Sequence, residues 1–164
     1  MKNLQIIQMK KLFLLLLAIV NLSFLSANAA ETASDKPTEP QWYTSLDAAL
    51  KEAAKTNRQI LLVVSGSDWC PPCMQLERKI LSHKDFLKIA SENLVLLKAD
   101  FPRRTPQSAQ EKADASAIIK RYPIDGVPTV FLLSSTGKVL DKKVGFPGGS
   151  PKKYLESFKG FKKK

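Results

Sequence analysis

The amino-acid sequence predicts one α/β domain with a mixed central sheet and helices on both faces. Three observations lead to this prediction: a length of 164 residues, which suits a single domain, short continuous apolar runs, and helical segments between most of those runs. Strands separated by a helix need a crossover connection and are therefore expected to run parallel. Two predicted strands near the end of the chain, 129–133 and 139–144, are joined by a short turn and predict an antiparallel hairpin.

The first predicted elements surround a strand that is buried on both faces. A short strand is expected at 42–43, and Ser45 can cap a helix over 46–56. The run 60–64 is apolar at every position, as in a strand that helices cover on both sides. A further helix begins at Pro71. Its apolar side is predicted to include Met74, Leu76, Ile80 and Leu81.

The remaining elements continue the alternation of helix and strand. Apolar runs mark the strands at 94–99 and 129–133, and a polar stretch with two prolines marks a loop. Ser150 can cap the last helix. In order, we expect a short helix, a buried strand, the polar loop, a helix, two hairpin strands and a last helix: 84–90, 94–99, 101–111, 113–122, 129–133, 139–144 and 150–161.

The beginning of the chain has the features of a cleavable export signal. Three lysines and no acidic residue accompany an apolar run over 12–20, and Ala27 and Ala29 stand at positions −3 and −1 before the expected cut. A membrane anchor is the alternative, but a spanning helix needs about 20 apolar residues. Asn21 and Ser23 interrupt the run before that length is reached. No cysteine lies near the cut, which argues against a lipid anchor.

The predicted organisation is a signal peptide over 1–29, a flexible leader over 30–41, the α/β domain over 42–161 and a basic tail over 162–164. Cleavage would leave 135 residues with a formal charge of +8 instead of +11, in an oxidising compartment that we expect to be the periplasm. The basic end could contact an anionic membrane surface or acidic partners, or remain a solvated tail. Nucleic acid is not expected as a partner of an exported protein. A monomer is expected because no dimerisation region is recognisable.

Composition excludes several classes of protein. With 44% hydrophobic residues the chain is too apolar to be disordered. Two cysteines cannot build a disulfide framework, and together with one histidine they cannot complete a structural zinc site without carboxylates. We therefore expect neither a metal nor another cofactor.

The chemistry is expected at Cys70-Pro71-Pro72-Cys73, between a buried strand and a helix. The first turn of a helix offers unpaired N–H groups and the positive end of the dipole, which stabilise a thiolate and lower its pKa below about 8.5. Cys70 is thus predicted to be the exposed attacking sulfur, and Cys73 the partly buried resolving sulfur. Because proline has no N–H, the main backbone donor left for the Cys70 sulfur is the Cys73 N–H. Stabilisation should then be moderate, which favours a potential nearer about −270 mV than about −120 mV.

Two other interpretations of the cysteine pair remain open. The pair could be half of a metal site completed by His83 and a carboxylate. It could also be an inert structural disulfide, although so small a loop restrains little of the unfolded chain.

The motif and its surroundings resemble the thioredoxin superfamily over roughly 42–158. The resemblance is carried by three stretches in order, namely 68–73 after a buried strand, a strand over 94–100, and 122–129 before the next strand. The stretches 66–70 and 100–103 further resemble exported thioredoxin-like proteins of the DsbH type. This resemblance implies a thioredoxin fold and thiol–disulfide exchange, usually as a reductase.

The resemblance also implies residues that contact substrate. Pro128 is expected to follow a cis bond and to lie against the cysteine pair; a trans proline that opens a strand is the alternative. The Val127 backbone would pair with an extended substrate segment. Trp69, directly before Cys70, is also expected to contact substrate.

Two positions depart from the family pattern. Val64 replaces a buried acid that often stands six residues before the first cysteine, and Leu96 replaces its lysine partner. Glu77, one turn after Cys73, could accept the proton of the inner thiol directly or through water. A solvated helix residue is the simpler interpretation of Glu77.

The predicted function is that of an exported thiol–disulfide oxidoreductase that reduces protein disulfides. The expected partners are disulfide-containing exported proteins and, from the compartment and the resemblance, a transmembrane electron donor of the DsbD kind. Arg103 and Arg104 could influence the choice of substrate, or belong to a solvated loop. A dithiol oxidase, a reductase for cytochrome c maturation and a non-catalytic thioredoxin-fold binding module are the alternatives.

Overall fold

The computed structural model describes residues 40–163. In chain order the elements are β1 (Trp42–Tyr43), α1 (Leu46–Thr56), β2 (Gln59–Ser65), α2 (Pro71–Leu76), a π-helical turn (Glu77–Leu81), α3 (Lys84–Asn93), β3 (Leu94–Asp100), α4 (Ala109–Arg121), β4 (Thr129–Leu133), β5 (Val139–Val144) and α5 (Pro151–Glu156). The expected signal peptide, most of the expected leader and the last residue of the basic tail lie outside the described residues. Within 40–163, every helix is too short or too polar to cross a bilayer.

The five strands form one mixed sheet, as predicted, and their order across it is β1-β3-β2-β4-β5. The strands β1 and β2 run parallel to β3, whereas β4 is antiparallel to β2 and β5 is antiparallel to β4. The expectation that β4 runs parallel is wrong. The segment after α4 brings the chain back across the molecule, so that Thr129 pairs with Val64 at the end where β2 finishes.

Two hydrophobic cores lie on opposite faces of this sheet. Successive side chains of a strand point to opposite faces, and β2 accordingly places Leu61 and Val63 in one core and Ile60, Leu62 and Val64 in the other. The first core is closed by α2, the π-helical turn, α3 and α5, and the second by α1 and α4. The sheet is therefore rigidly held on both sides, which fixes the loops that follow its strands.

Three helix predictions need correction. Helix α4 begins at Ala109 instead of 113, because Ser108 caps it and Glu111 completes a capping box. Helix α5 ends at Glu156 instead of 161, and its cap residue Ser150 makes no side-chain hydrogen bond. Helix α3 continues to Asn93, three residues beyond its predicted end.

Met74 was predicted on the apolar side of its helix, but its side chain is 42% exposed. The other three predicted residues are buried: Leu76, Ile80 and Leu81. Met74 lies one helical step of about 100° beyond Cys73, and Cys73 already faces the core. Met74 therefore points away from the core and lines a surface cavity beside Cys73.

Candidate active site

The site lies at the edge of the sheet where β2 and β3 both end. Ser65 and Asp100 are register partners there, and parallel strands bring their following loops together at one edge. The backbone turns tightly after β2, since the N–H groups of Trp69 and Cys70 both donate to Gly66 O, at 3.3 and 3.0 Å. A Cβ at Gly66 would overlap the Trp69 indole ring, so the close packing of this turn requires glycine.

Cys70 caps the N-terminus of α2 and forms a disulfide with Cys73, with the two Cα atoms 5.2 Å apart. The Cys73 N–H donates to the Cys70 sulfur at 3.3 Å, which confirms the backbone donor predicted from the two prolines. Pro71 and Pro72 occupy the first turn, where no helical partner exists for an N–H group. The Cys70 sulfur therefore interacts with the positive end of the helix dipole through one hydrogen bond, which the Cys73 N–H donates.

A second segment packs against the disulfide from the start of β4. The Val127–Pro128 bond is cis, as predicted, and Val127 O lies 3.7 Å from the Cys70 sulfur. Two hydrogen bonds hold this segment in place: Thr129 Oγ1 donates to Gly126 O at 2.6 Å and the Gly145 N–H to Pro128 O at 2.8 Å. The segment therefore presents backbone groups beside the sulfur atoms from a fixed position.

Cys70 is not the exposed residue that we predicted. In the disulfide form Cys70 is 3% exposed and Cys73 is 2% exposed, so exposure does not distinguish them. The Val127–Pro128 segment covers Cys70, whereas Cys73 borders a surface cavity of about 340 Å³. What distinguishes the two sulfurs is their position on α2, with Cys70 at the cap and Cys73 inside the first turn.

The cavity beside Cys73 contains a charged pair. Glu77 lines this cavity, and its carboxylate accepts hydrogen bonds from Lys98 Nζ at 2.9 Å and from Ser82 Oγ at 2.9 Å. The Lys98 side chain is 27% exposed and that of Glu77 is 44% exposed. A carboxylate and the inner cysteine therefore share one solvent-accessible space.

Asp68 fixes the loop that follows β3. Its carboxylate accepts the backbone N–H groups of Arg103, Arg104 and Thr105 at 2.9, 2.8 and 2.8 Å. The hydrogen bond from the Arg103 N–H is the largest cause that lowers the pKa of Asp68 to about 2. The Trp69 indole N–H donates to Phe101 O at 2.7 Å, so two consecutive residues before Cys70 hold this loop.

The alternative metal site finds no support among residues 40–163. His83 caps α3, and its Nδ1 accepts the Asp85 N–H at 3.2 Å. Within the described part of the chain, no group of three or more His, Cys, Asp or Glu residues is arranged to hold a metal ion.

Comparison with known proteins agrees with this geometry. The sequence model of the family described as thioredoxin-like matches residues 41–135. The chain belongs to the thioredoxin-like family. Family membership together with the Cys70–Cys73 disulfide identifies a thiol–disulfide oxidoreductase.

Relatives within this thioredoxin-like family include two proteins of Chlamydia pneumoniae. "Disulfide bond reductase DsbH" is 26% identical over 132 residues, which cover 80% of this chain and 78% of that protein. "Thioredoxin-related protein DsbJ" is 25% identical over 134 residues, which cover 82% of this chain but 38% of that longer protein. The oxidoreductase is therefore DsbH-like in sequence over most of its length.

Solved structures give the same family relation. The structure titled "DsbH Oxidoreductase" superposes with a TM-score of 0.66 at 26% identity and covers 79% of this chain and 89% of that one. A thioredoxin from Thermus thermophilus superposes with a TM-score of 0.52 at 19% identity, covering 72% and 83% of the two chains, which bears on the fold alone.

Three contacts at the site were not predicted from the sequence. The ion pair of Lys98 with Glu77 was not predicted, although a single lysine within the apolar run 94–99 indicates a residue with an acidic partner. The hydrogen bonds of the Asp68 carboxylate join residues 35 to 37 positions apart, and no local sequence pattern predicts such a contact. The same holds for Arg103, whose guanidinium lies over the Trp69 ring, 3.9 Å from its centroid.

Proposed function

We propose that this protein is an exported reductase of protein disulfides. The observation that carries the proposal is Cys70 at the cap of α2, with the Cys73 N–H directed at its sulfur and the Val127 carbonyl beside it. Export is supported by the sequence over 1–29. A relative named "Disulfide bond reductase DsbH" supports the reducing direction.

The proposed reaction begins with the dithiol form of the protein. The Cys70 thiolate attacks one sulfur of a substrate disulfide, the substrate S–S bond breaks, and the first substrate sulfur leaves as a thiolate that takes a proton from solvent. Cys73 loses its proton and attacks the Cys70 sulfur. The Cys70–Cys73 disulfide forms and the second substrate thiol leaves. Two electrons pass from the protein dithiol to the substrate.

We assign substrate positioning to the residues that surround Cys70. The Val127 carbonyl and the fixed Pro128 backbone offer a short edge to which an extended substrate can add. Trp69 directly precedes Cys70 and is held by its hydrogen bond to Phe101 O. These three residues would align the substrate disulfide with the Cys70 sulfur for attack.

We assign proton acceptance from Cys73 to Glu77. The two residues are four positions apart on one continuous helical segment, so their side chains share a face, and both line the same cavity. Water in that cavity would carry the Cys73 proton to the carboxylate. Lys98 holds this carboxylate through a 2.9 Å contact and would keep it in place while Cys73 reacts.

The oxidised protein must be reduced again for a second turnover. Outside the cytoplasm this requires a thiol donor fed from the membrane, and we propose a transmembrane electron donor of the DsbD kind as that partner. The dithiol is regenerated by the same exchange in reverse, with the donor thiolate attacking the Cys70–Cys73 bond.

The test separates the two cysteines and the direction of electron flow. We expect Cys73→Ser to accumulate a mixed disulfide with substrate through Cys70, and Cys70→Ser to lose insulin reduction completely. The glutathione redox equilibrium of the parent should give a potential nearer about −270 mV than about −120 mV. A potential near the oxidising limit, or trapping through Cys73 in the Cys70→Ser variant, would overturn the proposal.

A further inference from the structure

Several hydrogen bonds hold the largely exposed loop after β3. We call residues 101–106 the arginine loop. The Asp68 carboxylate accepts three of its N–H groups, the Trp69 indole donates to Phe101 O, and the Phe101 N–H donates to Ser65 O at 2.9 Å. Every one of these anchors is within five residues of Cys70 in the sequence, so the loop moves with the site.

This anchoring holds two exposed arginines in the loop beside the site. Arg103 and Arg104 are both exposed, and the Arg103 guanidinium lies 3.9 Å from the Trp69 ring centroid. Neither arginine has an acidic side-chain partner within ion-pair distance in residues 40–163. The stacked guanidinium keeps its N–H donors available, because a cation–π contact uses the face of the group and leaves its edge free.

The acidic residues nearby are already engaged. The Asp68 carboxylate is occupied by the backbone of the arginine loop. Asp100 accepts the Ser67 N–H at 3.0 Å and the Ser67 hydroxyl at 2.5 Å. The two carboxylates thus already accept backbone and hydroxyl donors, while both arginines of the loop are exposed.

We propose that the arginine loop is a docking surface for acidic residues that flank the substrate disulfide. This inference rests on the proposed reductase function and adds a substrate class to it, namely disulfides in acidic peptide segments. An extended chain advances about 3.3 Å per residue, so residues a few positions from a cysteine bound at Cys70 can reach Arg103 beside Trp69. The guanidinium fork matches a carboxylate in a two-point contact, and its charge also favours encounter at low salt.

The experiment compares three disulfide peptides with the same core and acidic, neutral or basic flanking residues. The reduced protein is mixed with each peptide in single-turnover reactions, and the second-order rate constant for loss of the peptide disulfide is measured. The readout is the ratio of the acidic-peptide to the neutral-peptide rate constant, since a general change in Cys70 reactivity alters both rates alike. We expect the Arg103→Gln/Arg104→Gln double variant to lower this ratio about fivefold.

Arg121→Gln is the matched control. Arg121 is also exposed and lies over an aromatic ring, 5.7 Å from the Tyr122 centroid. It belongs to the opposite edge of the sheet, where the Tyr122 hydroxyl donates to Gly137 O in the β4–β5 turn. This variant removes the same charge and should leave the ratio unchanged.

The salt dependence of the parent provides a measurement that needs no variant. The ratio should fall as ionic strength rises from about 0.02 to about 0.2 M, because screening weakens exposed charge contacts. Three results would overturn the inference while leaving the reductase function intact. The ratio could be independent of salt, it could be unchanged in the double variant, or it could fall equally in Arg121→Gln. If the parent reduces none of the three peptides, the proposed function is overturned, and this inference with it.

Discussion

At Cys70 a sulfur atom occupies the position that an oxygen of serine or aspartate usually takes at a helix N-cap. The residue has extended backbone angles, and its sulfur accepts the Cys73 N–H. The same hydrogen bond that stabilises the helix end would stabilise a thiolate in the dithiol form. Capping and reactivity are therefore two consequences of one contact, and the two prolines ensure that no other N–H of the first turn competes for it.

Substitution of Glu77 tests the proposed proton acceptor. We expect Glu77→Gln to slow the resolving step, in which Cys73 attacks the mixed disulfide, by about tenfold or more, because the amide cannot take up the proton. The first attack by Cys70 should keep its rate. Rapid-quench measurement of the mixed disulfide separates the two steps.

Two further variants complete that test. Glu92→Gln removes an exposed carboxylate from α3 and should leave both steps unchanged. Lys98→Met removes the cation that holds Glu77 and should slow the resolving step less than Glu77→Gln. Equal rates of resolution in the parent and in Glu77→Gln would exclude Glu77 as the proton acceptor.

At this scale the sequence identified the reacting atoms but not their surroundings. The Cys-Pro-Pro-Cys spacing predicted the Cys73 N–H donor, because only local backbone chemistry was involved. The Glu77–Lys98 pair joins residues 21 positions apart, and the register that brings them together depends on how β3 packs beside β2. Such contacts are properties of the folded sheet, which a local pattern does not encode.

The arginine loop is an element without regular structure that the Asp68 carboxylate holds in one conformation. Because the pKa of Asp68 is lowered to about 2, chiefly by the Arg103 N–H, the charged clamp is complete above the ordinary value of 3.8 and is lost as pH falls through about 2. The loop should therefore remain closed throughout the neutral and mildly acidic range.

We expect Asp68→Asn to loosen this loop at neutral pH, since a neutral amide oxygen accepts hydrogen bonds more weakly than a carboxylate. Amide hydrogen exchange at Arg103, Arg104 and Thr105 should become faster at pH 7 than in the parent. Asp125→Asn serves as the control, because Asp125 is highly exposed and its ion pair is with Lys142, on β5 and away from the arginine loop. Unchanged amide exchange in Asp68→Asn would show that the hydrogen bonds of Phe101 to Trp69 and Ser65 are enough to hold the loop.

The start of α4 gives a second prediction for an element. Ser108 Oγ accepts the Glu111 N–H at 3.2 Å, and the Ser108 N–H, which donates to the Glu111 carboxylate at 2.8 Å, lowers the pKa of Glu111. Ser108→Ala should reduce the free energy of unfolding by about 1 kcal/mol, as measured by urea denaturation. Ser116→Ala is the matched control within the same helix, where the hydroxyl caps nothing, and it should cost less.

The elements themselves were largely predictable, but the start of α4 and the direction of β4 were not predicted correctly. Continuous apolar runs predicted the buried strands β2, β3 and β4, since buried strands exclude polar side chains. The exposed strand β5 was predicted from the turn that joins it to β4. The capping box that starts α4 was readable from Ser108 and Glu111, yet a polar loop was predicted over these residues. The direction of β4 was not readable, because it depends on the path of 122–128 from Tyr122, anchored at the far edge, to Val127 beside Cys70.

In the molecule as a whole, the two edges of the sheet are fixed by different means. The edge that carries the cysteines is held by the Asp68 and Trp69 hydrogen bonds to the arginine loop. The opposite edge is held by Gln59, whose side chain donates to Gly160 O at 2.7 Å and accepts the Lys162 N–H at 2.9 Å. The sheet that carries the cysteines at one end is therefore restrained at its other end by Gly160 and Lys162.

The sheet should also make the two hydrophobic cores unfold together. Leu61 and Leu62 are neighbours on the central strand β2, each is 0% exposed, and they enter opposite cores. Leu61→Ala and Leu62→Ala should each lower the free energy of unfolding by about 2 to 5 kcal/mol, because each leaves a cavity under the same strand. Leu140→Ala, at a leucine that is 37% exposed on β5, should change it by no more than about 0.5 kcal/mol.

Urea denaturation of the oxidised protein, followed by far-UV circular dichroism and by tryptophan fluorescence, tests this coupling. Trp42 packs against the first core, and Trp69 reports on the site, whereas circular dichroism reports on all helices. If the sheet couples its two faces, both probes give one coincident transition in each variant. A Leu62→Ala protein in which α1 and α4 unfold before the tryptophan signal changes would show instead that the second core is an independent unit, and that the reactive edge depends on the first core alone.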